Sequence, residues 1–283
     1  MTALARRNDA VPVPSATSHR GNARELWHES VRIRQEWLDV GLSTEPADRA
    51  TAESCVTAIY ARISRPRPRF EWVDSPAKAL PLVAGWPTLD DLYRWIRDPL
   101  PPGRPPLASD LATVAAGLRA ALSAGVSYAD PELTPSRQPG KKQEHWPDLP
   151  PLDALTRGVP LPVVLHQSVR GALHRSLGKG FRHPVRAALA PQLPVCWYGQ
   201  QDACWIGYYD TLQRLGLASF RAGITDHFGQ WAGLARSCGW WWPGEGVCVL
   251  ADRPATVRVT PMPGTWHDEV ALSAVAYRDG WQL

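Results

Sequence analysis

From Ala23 onward, apolar side chains recur at helical spacing: Leu26, Ile33, Trp37 and Val40 fall on one stripe beside Trp27, Val31 and Leu38, and Gly41 stands where a helix would end. Ser43 or Thr44 is placed to cap a second helix, with Pro46 in its first turn and Ala52, Val56, Ile59, Tyr60 and Ile63 inward, so the two are expected to pair as a hairpin. Pro66 and Pro68 end that run, Phe70 to Val73 alternates like a short strand, and Asp74-Ser75-Pro76 opens a new helix. Thr88 heads a short helix containing Leu89, Leu92, Tyr93 and Ile96. After a proline-dense connector, Ser109 or Asp110 begins another with Leu111, Val114, Ala115, Leu118 and Leu122 on its apolar side. A helix is expected again from about Val163 to Leu177, followed by an apolar extended segment from Leu193 to Gly199. Trp205, Tyr208, Tyr209, Leu212 and Leu215 then stripe a helix ended by Gly216, and Phe228, Trp231, Leu234, Ala235 and Cys238 stripe the last one, from near Thr225 to Gly239.

Past Trp240-Trp241-Trp242 the apolar period shortens to that of a strand. Val247 to Leu250, Thr256 to Val259 and Val270 to Tyr277 read as strands, and Asp279-Gly280 as a tight hairpin turn into a very short last one. The predicted fold is α+β, a mainly helical body closed by a small C-terminal antiparallel β-meander. Each large ring buries roughly 150–250 Å², so three adjacent tryptophans at the junction must point in different directions and touch several elements, which makes them a hub. Residues 1–22 carry no periodicity and are expected to form a disordered arm. Residues 127–162 hold eight prolines and little pattern, and read as a Pro-rich surface insertion in an otherwise single domain over 23–283.

Composition narrows the class. A chain of 283 residues with 44% apolar and 20% charged positions has the make-up of a soluble globular protein with a substantial core. No stretch of about 18 uninterrupted apolar residues occurs, so no membrane partner is expected. No apolar run follows Arg6 and Arg7, so a secretory signal is not expected either, and the location predicted is cytoplasmic. Five unpatterned cysteines fit reduced thiols. Basic residues are 27 Arg and 4 Lys, and with 28 Pro they resemble the composition of a GC-rich genome. The net charge of +4 permits an anionic partner and demands none.

Familiar chemistry is mostly excluded. Cys196-x7-Cys204 and Cys238-x9-Cys248 lack the close ligand pairs of structural zinc sites, and no metal ligand is assigned. Gly178-Lys179-Gly180 lacks the spacing of a phosphate loop, and no Gly-x-Ser-x-Gly elbow occurs. A Cys-His nucleophile, Cys238 with His227 or His267, stays open because such pairs meet in space. Two regional features remain. From Ala154 to Gln201 there is no Asp or Glu, while six basic side chains (Arg157, Arg170, Arg175, Lys179, Arg182, Arg186) and three histidines (His166, His174, His183) fall there; Arg170 and His174 share a helical face. Eight of the 14 tryptophans lie in the final 87 residues, beside polar groups able to accept from indole N–H.

Aromatic walls with a few polar groups and arginines describe a small-molecule pocket. It is expected where Gln200–Asp210 meets Arg236–Glu245, with Gln200, Gln201, Trp205, Tyr209, Arg236, Trp240, Trp241, Trp242, Glu245 and Arg253 as ligand-binding candidates. Asp202 and Asp210 are the candidate catalytic carboxylates, as general base or orienting group. The bland alternative is that the indoles fill the joint between helices and strands.

The segments Gly41-Leu42-Ser43-Thr44-Glu45-Pro46-Ala47-Asp48-Arg49, Trp72-Val73-Asp74-Ser75-Pro76, Trp197-Tyr198-Gly199-Gln200-Gln201-Asp202-Ala203 and Ala235-Arg236-Ser237-Cys238-Gly239-Trp240-Trp241-Trp242-Pro243, with Arg253-Pro254, resemble an uncharacterised actinobacterial family, a domain of unknown function with a Cys-Gly-Trp-Trp-Trp-Pro signature. The resemblance spans most of the chain from about residue 23 and points to no particular reaction; any cofactor is unknown. Three functions therefore stay open: binding, with or without transformation, of a small anionic ligand in a Trp/Tyr/Arg-lined pocket; docking of a protein partner on an exposed aromatic and arginine patch; and nucleic-acid binding through 154–201, which ranks below the other two because the net charge is mild and no nucleic-acid motif is present.

Overall fold

The computed structural model describes residues 23–97, 99–126 and 149–283. The expected arm and most of the expected insertion lie outside them. The body is mainly helical, with a small antiparallel sheet near the C-terminus, an α+β arrangement. Helices α1 (Ala23–Leu42) and α2 (Arg49–Arg62) correspond to the first two predicted. The second starts later than its sequence suggests and is capped by Asp48, which accepts from Thr51 N at 3.1 Å. Residues 43–47 are held out of it by distant parts of the chain: Gln200 donates to the Ser43 carbonyl and Ala47 N donates to Asp252.

Strand β1 (Arg69–Val73) leads into the single-turn α3 (Pro76–Ala79), capped by Ser75. Thr88 and Asp91 form a reciprocal capping box at α4 (Leu89–Tyr93). Helix α5 (Leu107–Ala124) begins directly after Pro106, two residues before the expected start. The end of the expected surface insertion is folded: Pro150 and Pro151 open α6 (Pro151–Thr156). There Ala154, Val159, Val163 and Val164 pack with Trp27.

Instead of one α-helix over 163–177, a helical run extends without a break from α7 (Leu161–Leu165) through π-helical segments at His166–Gly171 and His174–Arg182 to α8 (His183–Leu189). Then come a 3-10 turn at Gly199–Asp202, α9 (Ala203–Arg214) and α10 (Ala222–Ser237).

Strand β3 (Val247–Ala251) does not continue into the meander predicted for it, and β2 (Trp241–Pro243), at the tryptophan hub, is not among the expected strands. They join β1 in a mixed sheet ordered β1-β3-β2, with β1 parallel to β3 in the register Phe70↔Cys248 and Trp72↔Leu250. A parallel partner from the N-terminal half cannot be read from local pattern, and such pairs are normally covered on both faces. That is the case here: Phe70, Trp72, Trp241, Cys248 and Leu250 enter the larger core among the helices, whereas Val73, Trp240, Trp242, Val249 and Ala251 enter a second one with Phe181 and Val185. Strands β4 (Thr256–Pro261) and β5 (Val270–Ala276) make the antiparallel hairpin, and beyond Gly280 the chain turns back so that Leu283 N donates to Val275 O at 2.9 Å. Among the described residues, no helix is long and apolar enough to cross a membrane.

Candidate functional site

The hub is a fully buried joint. Trp241 stacks on Trp197 at 5.3 Å and tilts against Trp231 at 6.1 Å, while Trp240 meets Tyr198 at 5.0 Å on the opposite face of the sheet. Trp197 and Trp241 also exchange backbone hydrogen bonds of 2.9 and 3.0 Å, so the extended segment before Gly199 runs along the edge of β2. Gly199 closes this approach. Its φ is +50°, and a Cβ there would lie 1.9 Å from the Gly239 carbonyl oxygen, so no other residue fits.

Most of the sequence-predicted ligand residues are consumed by this joint. Gln200 donates to the carbonyls of Gly41 and Ser43 at 2.9 and 3.1 Å, and Gln201 accepts from Trp240 Nε1 at 2.8 Å. Tyr209 hydroxyl bonds Ser123 Oγ at 2.7 Å. Asp210 accepts from Trp37 Nε1 at 2.8 Å and lies 3.5 Å from Arg214, so it is held as a structural acceptor. Arg236 lies 3.9 Å over the Trp37 ring, and Arg253 bonds Ser43 Oγ and the Arg236 carbonyl. Glu245 pairs with Arg65 at 2.8 Å. Trp240, Trp241 and Trp242 are inside the protein and offer no exposed face.

Asp202 and Trp205 are the predicted residues that reach a cavity. Its volume is about 210 Å³, and it lies between α5, the long helical run and the turn that starts α9. Three arginines line it. Arg119, the sole basic residue of α5, lies over the Trp205 ring at 5.1 Å. Arg182, from the last π-helical turn, lies over the Tyr198 ring at 4.5 Å. Arg170 and His174 approach from the same run about two to three turns earlier. Guanidinium groups resting on aromatic faces keep their position while their in-plane N–H groups stay available. The π-helical stretch coincides with these residues, and π-helical turns are frequent at functional sites.

Among the described residues Asp202 is the one carboxylate in the wall, and its Oδ2 accepts from Tyr198 N at 3.0 Å. Burial pushes its carboxyl above the usual range, against the opposing pull of Arg182, the Tyr198 N–H and Arg119. Burial also lowers His174, helped by Arg182, Lys179 and His183, so the imidazole is held neutral. The cavity thiols are protonated: burial raises Cys196 to about 12 and Cys204 to about 11.

The Cys238–His227 possibility finds no support in the geometry. Cys238 is fully buried, its thiol is raised far above the ordinary value by burial and donates to the Leu234 carbonyl, and His227 accepts from Trp231 Nε1 at 3.2 Å. Among the described residues, no three His, Cys, Asp or Glu side chains group as metal ligands would.

Sequence reasoning singled out the acid-free segment and the Gln200–Trp205 turn separately, and the fold joins them. Arg119 carried one signal, as the lone basic residue of an alanine-rich helix. Tyr198, Trp197 and Cys196 carried none beyond their place in an apolar run. Comparison with protein-family models, curated proteins and solved structures finds no match for the chain.

Proposed function

We propose that this cavity binds a small anionic ligand. The observation that carries the reading is the convergence of Arg119, Arg170 and Arg182 with His174 around a half-enclosed space whose walls, among the described residues, contain a single carboxylate. Guanidinium groups positioned on rings in a restricted, partly dry space bind carboxylate or phosphate oxygens more strongly than solvated ones do. Asp202 would orient a donor on the ligand. No reaction is assigned to it, and the reading is one of binding. The five free cysteines support a reducing, cytoplasmic setting.

Calorimetric titration with phosphate, sulfate and small carboxylates tests the proposal. Arg119→Ala and Arg182→Ala are each expected to weaken binding about tenfold or more, a loss typical of a charge-assisted contact, while melting temperatures change little. Absence of binding by every anion, or equal affinity in both variants, would remove the reading.

The interaction-module alternative has one supporting observation away from the hub: Leu89, Tyr93, Ile96 and Leu100 are exposed along α4 and the turns after it. Light scattering across a concentration series would report self-association through them. The nucleic-acid alternative has less, since Arg175 is paired with Glu269 and Arg170 and Arg182 face the cavity, which leaves Arg157 and Lys179 exposed.

A further inference from the structure

We infer that the anion is a compact tetrahedral oxyanion of the phosphate-monoester class, and that His174 takes up a proton when it binds. The inference rests on the anion-binding reading of the same cavity and adds the shape of the ligand and the proton.

The shape follows from the directions of the donors. Arg119 comes from α5, Arg182 from the last π-helical turn against Tyr198, and Arg170 and His174 from earlier turns of that run. A carboxylate offers two oxygens in one plane and is satisfied by one guanidinium fork, whereas a phosphoryl group offers three strong acceptors pointing in three directions. Arg119 Nε is buried and has no acceptor among the described residues, so an oxyanion oxygen would complete it. The volume of about 210 Å³ is below the roughly 300–1,000 Å³ usual for drug-sized ligands, and corresponds to about seven waters at ~30 Å³ each. That admits a phosphoryl group with a short organic tail.

The proton follows from what surrounds His174. Its own run contributes Arg170, Lys179, Arg182 and His183, all positive or potentially so, and the other walls contribute Arg119 from α5, Asp202 from the 3-10 turn, Cys204 from α9, and Cys196 and Tyr198 from the extended segment. Glu269, the nearby acid preceding β5, is bound to Arg175. The ring sits against the backbone at Gly178, where a Cβ would lie 2.9 Å from Nδ1. In this setting the imidazole is neutral before the ligand arrives. A dianion offsets much of this positive field, favours the imidazolium and gains a further charge-assisted donor.

The test is calorimetry on the full chain with inorganic phosphate, sulfate and acetate at about pH 7, in two buffers of different ionisation enthalpy, so that the proton count is read directly. Phosphate and sulfate are expected to bind at least about tenfold more tightly than acetate. Sulfate should bring net uptake of a large fraction of one proton, and phosphate less, because the part of it that is monoanionic at that pH gives up a proton when the dianion binds. Sulfate has no proton to exchange at that pH, so its uptake belongs to the protein. His174→Gln should still bind sulfate, more weakly, and lose the uptake. NMR titration of the wild-type histidines gives a second readout that needs no variant: the His174 imidazole should titrate at higher pH in sulfate than in chloride. Acetate binding as tightly as phosphate would overturn the tetrahedral class and leave the anion reading standing. Sulfate binding without proton uptake, uptake retained in the Gln variant, or an unmoved His174 titration would overturn the role of His174. Failure of all three anions would overturn the underlying reading itself.

Discussion

Trp241 and its two neighbours divide one local sequence between two cores, because successive side chains of a strand point to opposite faces. Trp241 enters the helical core with Trp197 and Trp231, and Trp240 and Trp242 enter the other. Trp241→Ala should therefore cost about 3–5 kcal/mol, the usual range for truncating a large buried aromatic. Trp241→Phe should cost markedly less, since Trp241 Nε1 has no acceptor among the described residues and its loss orphans none of them. Trp240→Phe differs, because it leaves the Gln201 carbonyl oxygen buried without its indole donor. Urea denaturation of the three variants would rank them, and a Trp241→Ala midpoint equal to wild type would contradict the joint described here.

At the scale of elements, the helical run from Leu161 to Leu189 does two jobs. One face supplies cavity residues, and the other docks the β4–β5 hairpin. Val270 N donates to Ser176 Oγ at 3.2 Å, and Gly180 permits backbone contact, since a Cβ there would lie 2.5 Å from the Val270 carbonyl oxygen. Arg175 grips Glu269 with two hydrogen bonds of 2.6 and 2.7 Å, and the Glu269 side chain is only 1% exposed. Removing Arg175 alone strands a buried carboxylate. Arg175→Ala should cost about 1–3 kcal/mol, because Arg175 is itself partly exposed and solvent reaches the carboxylate it leaves, and the double change Arg175→Met with Glu269→Leu should recover most of it. Thermal melting of the single and double variants checks this. A single variant with wild-type stability would show that the hairpin is held by other contacts.

Across the whole molecule, burial sets the protonation states of titratable groups in the interior. His227 is pushed down to about 4, chiefly by burial and secondarily by Arg62, and its Nε2 accepts from Trp231 inside the larger core. An unfolded chain takes up that proton near the ordinary histidine value of about 6.5, whereas the folded one resists until about 4. Between those values the unfolded state holds more protons, so stability is full above the window and falls as pH drops through it. His174 and His183 are displaced in the same direction and add to the effect. Melting curves from about pH 7 down to about pH 4.5 should show this loss, and His227→Gln should flatten part of it. An unchanged slope in that variant would mean His227 is not a contributor.

What the sequence determined by itself is what depends on neighbours a few residues away. The positions of α1, α9 and α10, the Thr88 cap, the strand character of Val247–Ala251 and the turn at Gly280 were legible because period, capping and turn chemistry are local. The acid-free stretch and the aromatic-rich end were legible too, as composition. Partnership was not. The parallel pairing of β1 with β3, the split of Trp240–Trp242 between two cores, and the folding of the segment around Pro151–Thr156 all depend on surfaces supplied from distant parts of the chain. The candidate site shows the same division. Residue types announced an arginine-rich, aromatic-lined pocket, but only packing decided which residues build the cavity. Arg236, Arg253, Gln200, Gln201 and Asp210 became fastenings of the joint, while Arg119 from α5 and Arg182 from a π-helical turn were brought to Asp202 and Trp205. An arginine in a sequence looks the same whether it will stack on a ring as a brace or as the wall of a cavity, and the difference is made by what lies on its other side.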